Sequence, residues 1–90
     1  MRLDKFLKLS RLVKRRTVAQ QMAEVGAVRI NKRVAKSSSS VSDGDFIEIA
    51  YPTRLLSVLV LTSNEVLLKR NALAFEIKDD KRVFDGERPW

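Results

Sequence analysis

Thr17-Val18-Ala19-Gln20-Gln21-Met22-Ala23-Glu24-Val25-Gly26-Ala27-Val28-Arg29-Ile30-Asn31 changes period halfway along. Up to Val25 the apolar residues Val18, Met22 and Val25 share one helical face, with Ala19 and Ala23 beside it. From Ala27 the pattern alternates: Val28 and Ile30 point one way, Arg29 and Asn31 the other. That is the signature of a half-buried strand. Gly26 stands at the junction and supplies the left-handed residue that ends a helix cheaply. Thr17 is a good N-cap, and Gln20 three residues later completes a capping box, so the spacing predicts a helix over 17–25.

On the N-terminal side of this junction, Leu3, Phe6 and Leu7 recur at i, i+3 and i+4 and predict a short helix from Arg2 to Leu9. Asp4 lies in its first turn, where the helix dipole favours an anion. So short a helix does not survive alone in water and needs packing on its apolar stripe. Ser10 to Arg16 reads as a turn or irregular connection, with Leu12 and Val13 inward and Arg11, Lys14, Arg15 and Arg16 outward. After Asn31-Lys32, a tight turn, residues 33–36 return as a second short strand. The four serines at 37–40 read as a mobile loop, and Asp43-Gly44-Asp45 as a turn. Strands are expected at 46–49, 55–61 and 73–77, with Pro52 as a break. A short helix is expected at 64–71, capped by Ser63 or Asn64. The class is therefore α+β: two short N-terminal helices packed on a small, mostly antiparallel sheet. We expect one domain over 1–77, followed by a polar, mobile tail over 78–90.

Charge is distributed unevenly. Residues 1–36 hold eleven Lys and Arg against Asp4 and Glu24, which gives +9. Residues 37–90 hold seven basic and nine acidic residues, which gives −2, so the chain totals +7. A basic front on a mildly acidic back implies one positive face suited to a polyanion, most often nucleic acid. The simpler reading of any single lysine here is a solvated rim. The group resists that reading, because crowded like charges repel and an unbound protein gains nothing from them. The start of the second helix, with Arg15 and Arg16 just before Thr17, is a natural phosphate site.

Several classes are disfavoured. The chain has no cysteine and no histidine, which removes disulfides, the commonest zinc ligands and the commonest general base. Asp43 and Asp45 flank a glycine and read as turn residues rather than a metal or acid pair. No enzyme activity, cofactor or metal is expected. Neither helix has the apolar face and aromatic anchors of an interfacial helix, so no membrane partner is expected. The charged start lacks the apolar stretch of a signal peptide, which points to the cytoplasm. Aromatics are few: Phe6 and Phe46 read as core, and Tyr51 as the one ring with two readings, a base-stacking platform or a plug at a sheet edge. Folded RNA recognised by shape and phosphates suits this composition better than single strands stacked on rings.

Four blocks then resemble a known family. Arg2-Leu3-Asp4-Lys5-Phe6-Leu7, Arg16-Thr17-Val18-Ala19, Gly26-Ala27-Val28-Arg29-Ile30-Asn31 and Gly44-Asp45-Phe46-Ile47 are similar to the S-four RNA-binding domain over residues 1–50. The resemblance implies two helices on a small antiparallel sheet, with RNA bound by the helices and the hairpin. The family usually has Asn-Gly at the hairpin turn, and this chain has Asn31-Lys32. Family members often append the domain to a catalytic body, for which 90 residues leave no room. The start of the chain, with Ser10-Arg11-Leu12 and Lys14-Arg15-Arg16-Thr17, resembles the stand-alone ribosome quality-control members, and the longer basic extension of the heat-shock type is missing.

That resemblance implies binding to ribosomal RNA of the large subunit and to peptidyl-tRNA on stalled complexes, alongside a factor that adds an alanine tail, and we expect the protein to act as a monomer. The resemblance singles out Arg2 and Arg16 as RNA contacts. Lys5, Lys8, Arg11, Lys14, Arg15 and Thr17 would follow phosphates, and Arg29, Asn31 and Lys32 would complete the face. Asp4 would orient an arginine or cap its own helix. Two rival readings stand beside this one. The first is a heat-shock-type recycling factor for large subunits or a general rRNA and tRNA binder. The second is an interaction subunit that lends RNA affinity to a separate enzyme.

Overall fold

In a computed structural model, residues 1–84 and 90 are described. The elements run α1 (Leu3–Leu9), α2 (Arg16–Glu24), β1 (Val28–Ile30), β2 (Arg33–Val34), β3 (Phe46–Tyr51), β4 (Arg54–Val60), α3 (Glu65–Lys69) and β5 (Phe75–Arg82). The strands form one sheet in the order β2-β1-β3-β4-β5, with every pairing antiparallel. The α+β expectation holds, with a third short helix between the last two strands.

The core lies between the helices and one face of the sheet. Leu3, Phe6 and Leu7 of α1 are fully buried, as are Ala19 of α2, Val28 of β1, Ile47 and Ile49 of β3 and Val58 of β4. Alternation places Val28 opposite Ile49 and Ile30 opposite Ile47, so one register carries one apolar face. Each fully buried Leu, Ile or Phe contributes roughly 1.5–3 kcal/mol of transfer free energy, which is what holds a seven-residue helix in place.

The junction that decided the fold behaves as read at its glycine. Gly26 has φ +78°, its N–H donates to Ala23 O at 3.0 Å, and Ala27 N–H donates to Met22 O at 2.9 Å. This pair of bonds is the Schellman ending of a helix. The other end differs from the capping-box reading. The helix begins at Arg16, Arg15 takes the extended cap position, and no side chain caps it. Thr17 is already inside the first turn, and Gln20 is drawn away because its amide donates to the Asp4 carboxylate at 2.8 Å. A charge-assisted bond to a buried carboxylate is stronger than the neutral bond that the Gln20 oxygen would accept from the backbone at its own helix start.

Two further expectations change. The serine run is a hydrogen-bonded strap rather than a loose loop. Leu3 N–H donates to Ser39 O at 2.8 Å and Asp4 N–H to Ser37 O at 3.1 Å, while the Ser39 hydroxyl accepts from Lys36 N–H. The strap satisfies the first N–H groups of α1, which no side chain at Arg2 caps. The last strand runs from Phe75 to Arg82, not 73–77. Its second half pairs with β4 from Arg54↔Arg82 to Ser57↔Asp79. It is an edge strand with almost no buried face, so backbone pairing holds it and its polar sequence concealed it. Of the expected mobile tail over 78–90, Lys78–Arg82 are therefore strand, and residues 85–89 lie outside the described residues.

The helix after β4 is capped by Asn64, whose side chain accepts from Leu67 N–H at 3.1 Å. The Asn31-Lys32 turn has φ +50° and +70°, between Ile30 and Arg33 paired across the hairpin. Positive φ at both central residues is the type I′ turn.

Candidate nucleic-acid interface

The site is built around a buried carboxylate. Asp4 is fully buried at the start of α1. Arg2 Nε donates to its Oδ1 at 3.1 Å and Arg2 Nη2 to its Oδ2 at 3.3 Å. From α2, Arg16 Nε lies 3.2 Å from Oδ2, and Gln20 donates to the same oxygen. The Lys5 N–H donates to Oδ1 at 2.8 Å. Burial pushes the Asp4 carboxyl up, but the bonds from Arg2, Gln20, Arg16 and Lys5 N–H together hold it well below the usual carboxylate range. It is ionised at any physiological pH.

The two arginines remain 50% and 44% exposed. One acid thus holds two guanidinium groups of two helices side by side, at a net charge of +1, with donors left over for a ligand. A phosphate matches the planar forks of such a pair. The expectation that Asp4 orients an arginine is met, and it orients two.

The other expected residues fall into two groups. Lys8, Lys14, Arg15 and Thr17 are exposed and, among the described residues, make no side-chain hydrogen bond or ion pair. They are free to meet phosphates. The second group is already engaged. Lys5 Nζ pairs with Glu65 of α3. Arg11 donates to Asn71 Oδ1 at 2.8 Å. Arg29 donates from Nε and Nη2 to Glu48 Oε1 at 3.1 and 2.8 Å, and its guanidinium lies 4.5 Å from the Trp90 ring centre. Lys32 Nζ sits 3.5 Å from Glu48 Oε2 and over the Phe46 ring, though it stays largely exposed. Asn31 uses both ends of its amide, donating to Asp45 Oδ1 and accepting from Phe46 N–H, so it fixes the hairpin.

Sequence reasoning left Arg33 and Lys36 off the site. Both are exposed cations without a side-chain partner among the described residues. Lys36 shares a groove with Gln20 and Ser37, next to the Asp4 cluster. The charge run marked it, but only the strap across α1 brings it close.

Tyr51 is pinned: its hydroxyl donates to Leu12 O at 2.6 Å. Burial raises its pKa, with Arg54 opposing and Asp80 adding to the shift. Asp43 and Asp45 work as turn residues: Asp43 accepts from Ser63 N–H and hydroxyl, and Asp45 accepts from Ser42 N–H. No helix among the described residues is long and apolar enough to cross a membrane.

A two-helix cationic fork on an antiparallel sheet defines a small polyanion-binding module, and comparison with known proteins agrees. The S4 domain matches residues 1–47. A relative from Halalkalibacterium halodurans named RQC P-site tRNA stabilizing factor is 39% identical over 97% of this chain and 100% of its own length. Proteins of the same name from Streptococcus pneumoniae and Bacillus subtilis are 43% and 44% identical, over 92% and 80% of this chain and 96% and 84% of theirs. Heat Shock Protein 15 of Vibrio cholerae, described as trimeric, superposes with TM-score 0.72 at 26% identity, over 87% of this chain and 81% of that one. The chain belongs to the S4-domain family, in the group of the RQC P-site tRNA stabilizing factors.

Proposed function

We propose that this protein binds ribosomal RNA of the large subunit and peptidyl-tRNA together, and steadies the tRNA on stalled nascent-chain complexes while a partner factor adds an alanine tail. It acts as a non-enzymatic monomer in the cytoplasm. The observation that carries this reading is the Asp4-held pair of Arg2 and Arg16. It lies within the S4-matched residues of a chain about 40% identical, nearly end to end, to factors named for stabilising P-site tRNA. The pair grips a phosphate by position and charge, and Lys8, Lys14, Arg15, Thr17 and Lys36 extend the grip along a backbone. Such contacts fix register without reading sequence. Lys5, Arg11, Arg29, Asn31 and Lys32 take a secondary part, since each already has a protein partner.

The recycling reading draws on the likeness to Heat Shock Protein 15, at a lower identity. A pull-down separates the two. Tagged protein should recover large subunits that carry peptidyl-tRNA in clear excess over empty ones. Equal recovery of both would favour the recycler.

A further inference from the structure

An open groove of about 840 Å3 lies between the α1–α2 connection, α2 and the end of β3. Leu12, Val13, Val18, Met22 and Pro52 wall it, together with Tyr51. Arg11, Lys14 and Arg15 form its rim, and no acidic side chain lines it among the described residues. Leu12 and Val13 belong to the core, so this wall is rigid. The bond from the Tyr51 hydroxyl to Leu12 O, with the Arg54 guanidinium over the ring at 5.6 Å from its centre, fixes the ring in place before any ligand arrives. Apolar surface bordered by Lys14 and Arg15, which have no side-chain partner among the described residues, suits a ligand that brings both an apolar face and negative charge.

An unstacked nucleotide brings both. Its base offers apolar faces, and its phosphates flank it within one nucleotide's length. An acidic, apolar peptide has similar chemistry. The position decides between them. Arg15 is the N-cap residue of α2 and Arg16 its first residue, so an RNA held by the Arg2–Arg16 pair has only the start of α2 to cross to reach the groove rim. We propose that this groove takes an unpaired base of the bound RNA, stacked against Tyr51 and Pro52 and walled by Val18 and Met22, with its flanking phosphates on Lys14 and Arg15. The proposal rests on the RNA-binding reading above and adds a contact that a purely phosphate-tracking surface lacks.

The test uses the full chain and two RNA hairpins, one fully paired and one with a single unpaired purine in the stem, followed by fluorescence anisotropy. Wild type should bind the bulged hairpin about tenfold more tightly, as expected for one stacked base. Val18 is 41% exposed on α2, and glutamine is a better helix former than valine, so Val18→Gln should fold. It should bind the paired hairpin as wild type does and lose most of the preference, while Val18→Leu should keep it. Equal binding of both hairpins by wild type would overturn the base site and leave RNA binding standing. Preference retained in Val18→Gln would also overturn it. So would an acidic amphipathic peptide binding through Val18 in place of any bulge preference, which would make the groove a protein dock. Failure to bind either hairpin would remove the RNA reading itself.

Discussion

Asp4 is the residue on which the proposed interface turns, because it holds two arginines of two segments in one donor array. Its removal has an outcome that net charge alone gets wrong. Asp4→Asn makes the chain more positive, which favours a polyanion. Yet it frees Arg2 and Arg16 from a common anchor and breaks a buried hydrogen-bonded pair. We expect Asp4→Asn to lower stability by about 2 kcal/mol and to weaken RNA binding, read by urea melts and by anisotropy. Tighter binding would show that the clamp does not matter. The pH dependence follows from the direction of the Asp4 shift. Its folded pKa lies below its unfolded value, so its contribution to stability is complete above about pH 4 and is lost as pH falls through the folded value. Wild type should therefore lose stability in acid, and the Asn variant should lose less. Sequence alone marked Arg2 and Arg16 through their motif blocks and gave Asp4 a choice of two roles. It gave no sign that Gln20 would serve Asp4 instead of capping its own helix, since a partner 16 residues away leaves no local pattern.

The elements were legible wherever start, stop and period signals agreed. Gly26 ended α2 as read, and the strand alternation gave the correct buried face. Misreadings fell where the backbone is satisfied by distant groups. The serine strap and the second half of β5 both look like loose polar chain, and both are held by hydrogen bonds that no side-chain pattern announces. The hairpin turn is the element where folding and function part. Lys32 has φ +70°, a conformation that suits glycine and costs a side-chain residue about 1 kcal/mol. Lys32 reaches the buried Glu48 from a mostly exposed position at 3.5 Å, and Arg29 already neutralises that carboxylate, so this second ion pair returns little. Lys32→Gly should raise stability by about 0.5–1 kcal/mol in a denaturant titration while binding RNA slightly less well. A loss of stability would mean that the contacts to Glu48 and Phe46 outweigh the strain.

Across the whole molecule, charge is segregated: the basic face belongs to the α1–α2 half, and the far edge strand carries both signs. Glu76, Lys78, Asp79, Asp80, Lys81 and Arg82 along β5 deter pairing with another sheet edge, in keeping with the proposed monomer. The basic face was the most legible feature of all, because it needs only counting. Which cations are free was not legible, because Glu48, Glu65 and Asn71 reach their partners through tertiary contacts. The segregation makes position decisive. Arg16→Ala should cost about 1–3 kcal/mol of binding and Lys8→Ala should act mainly through the salt slope, whereas Arg82→Ala should leave both unchanged. The measurement that tests the central claim most directly is co-sedimentation with ribosomes on a sucrose gradient, comparing wild type with Arg16→Ala. Wild type should travel with large subunits that carry tRNA and a nascent chain, and Arg16→Ala should stay at the top. Wild type remaining at the top at modest salt would contradict the ribosomal role, and Arg16→Ala travelling with wild type would contradict the clamp.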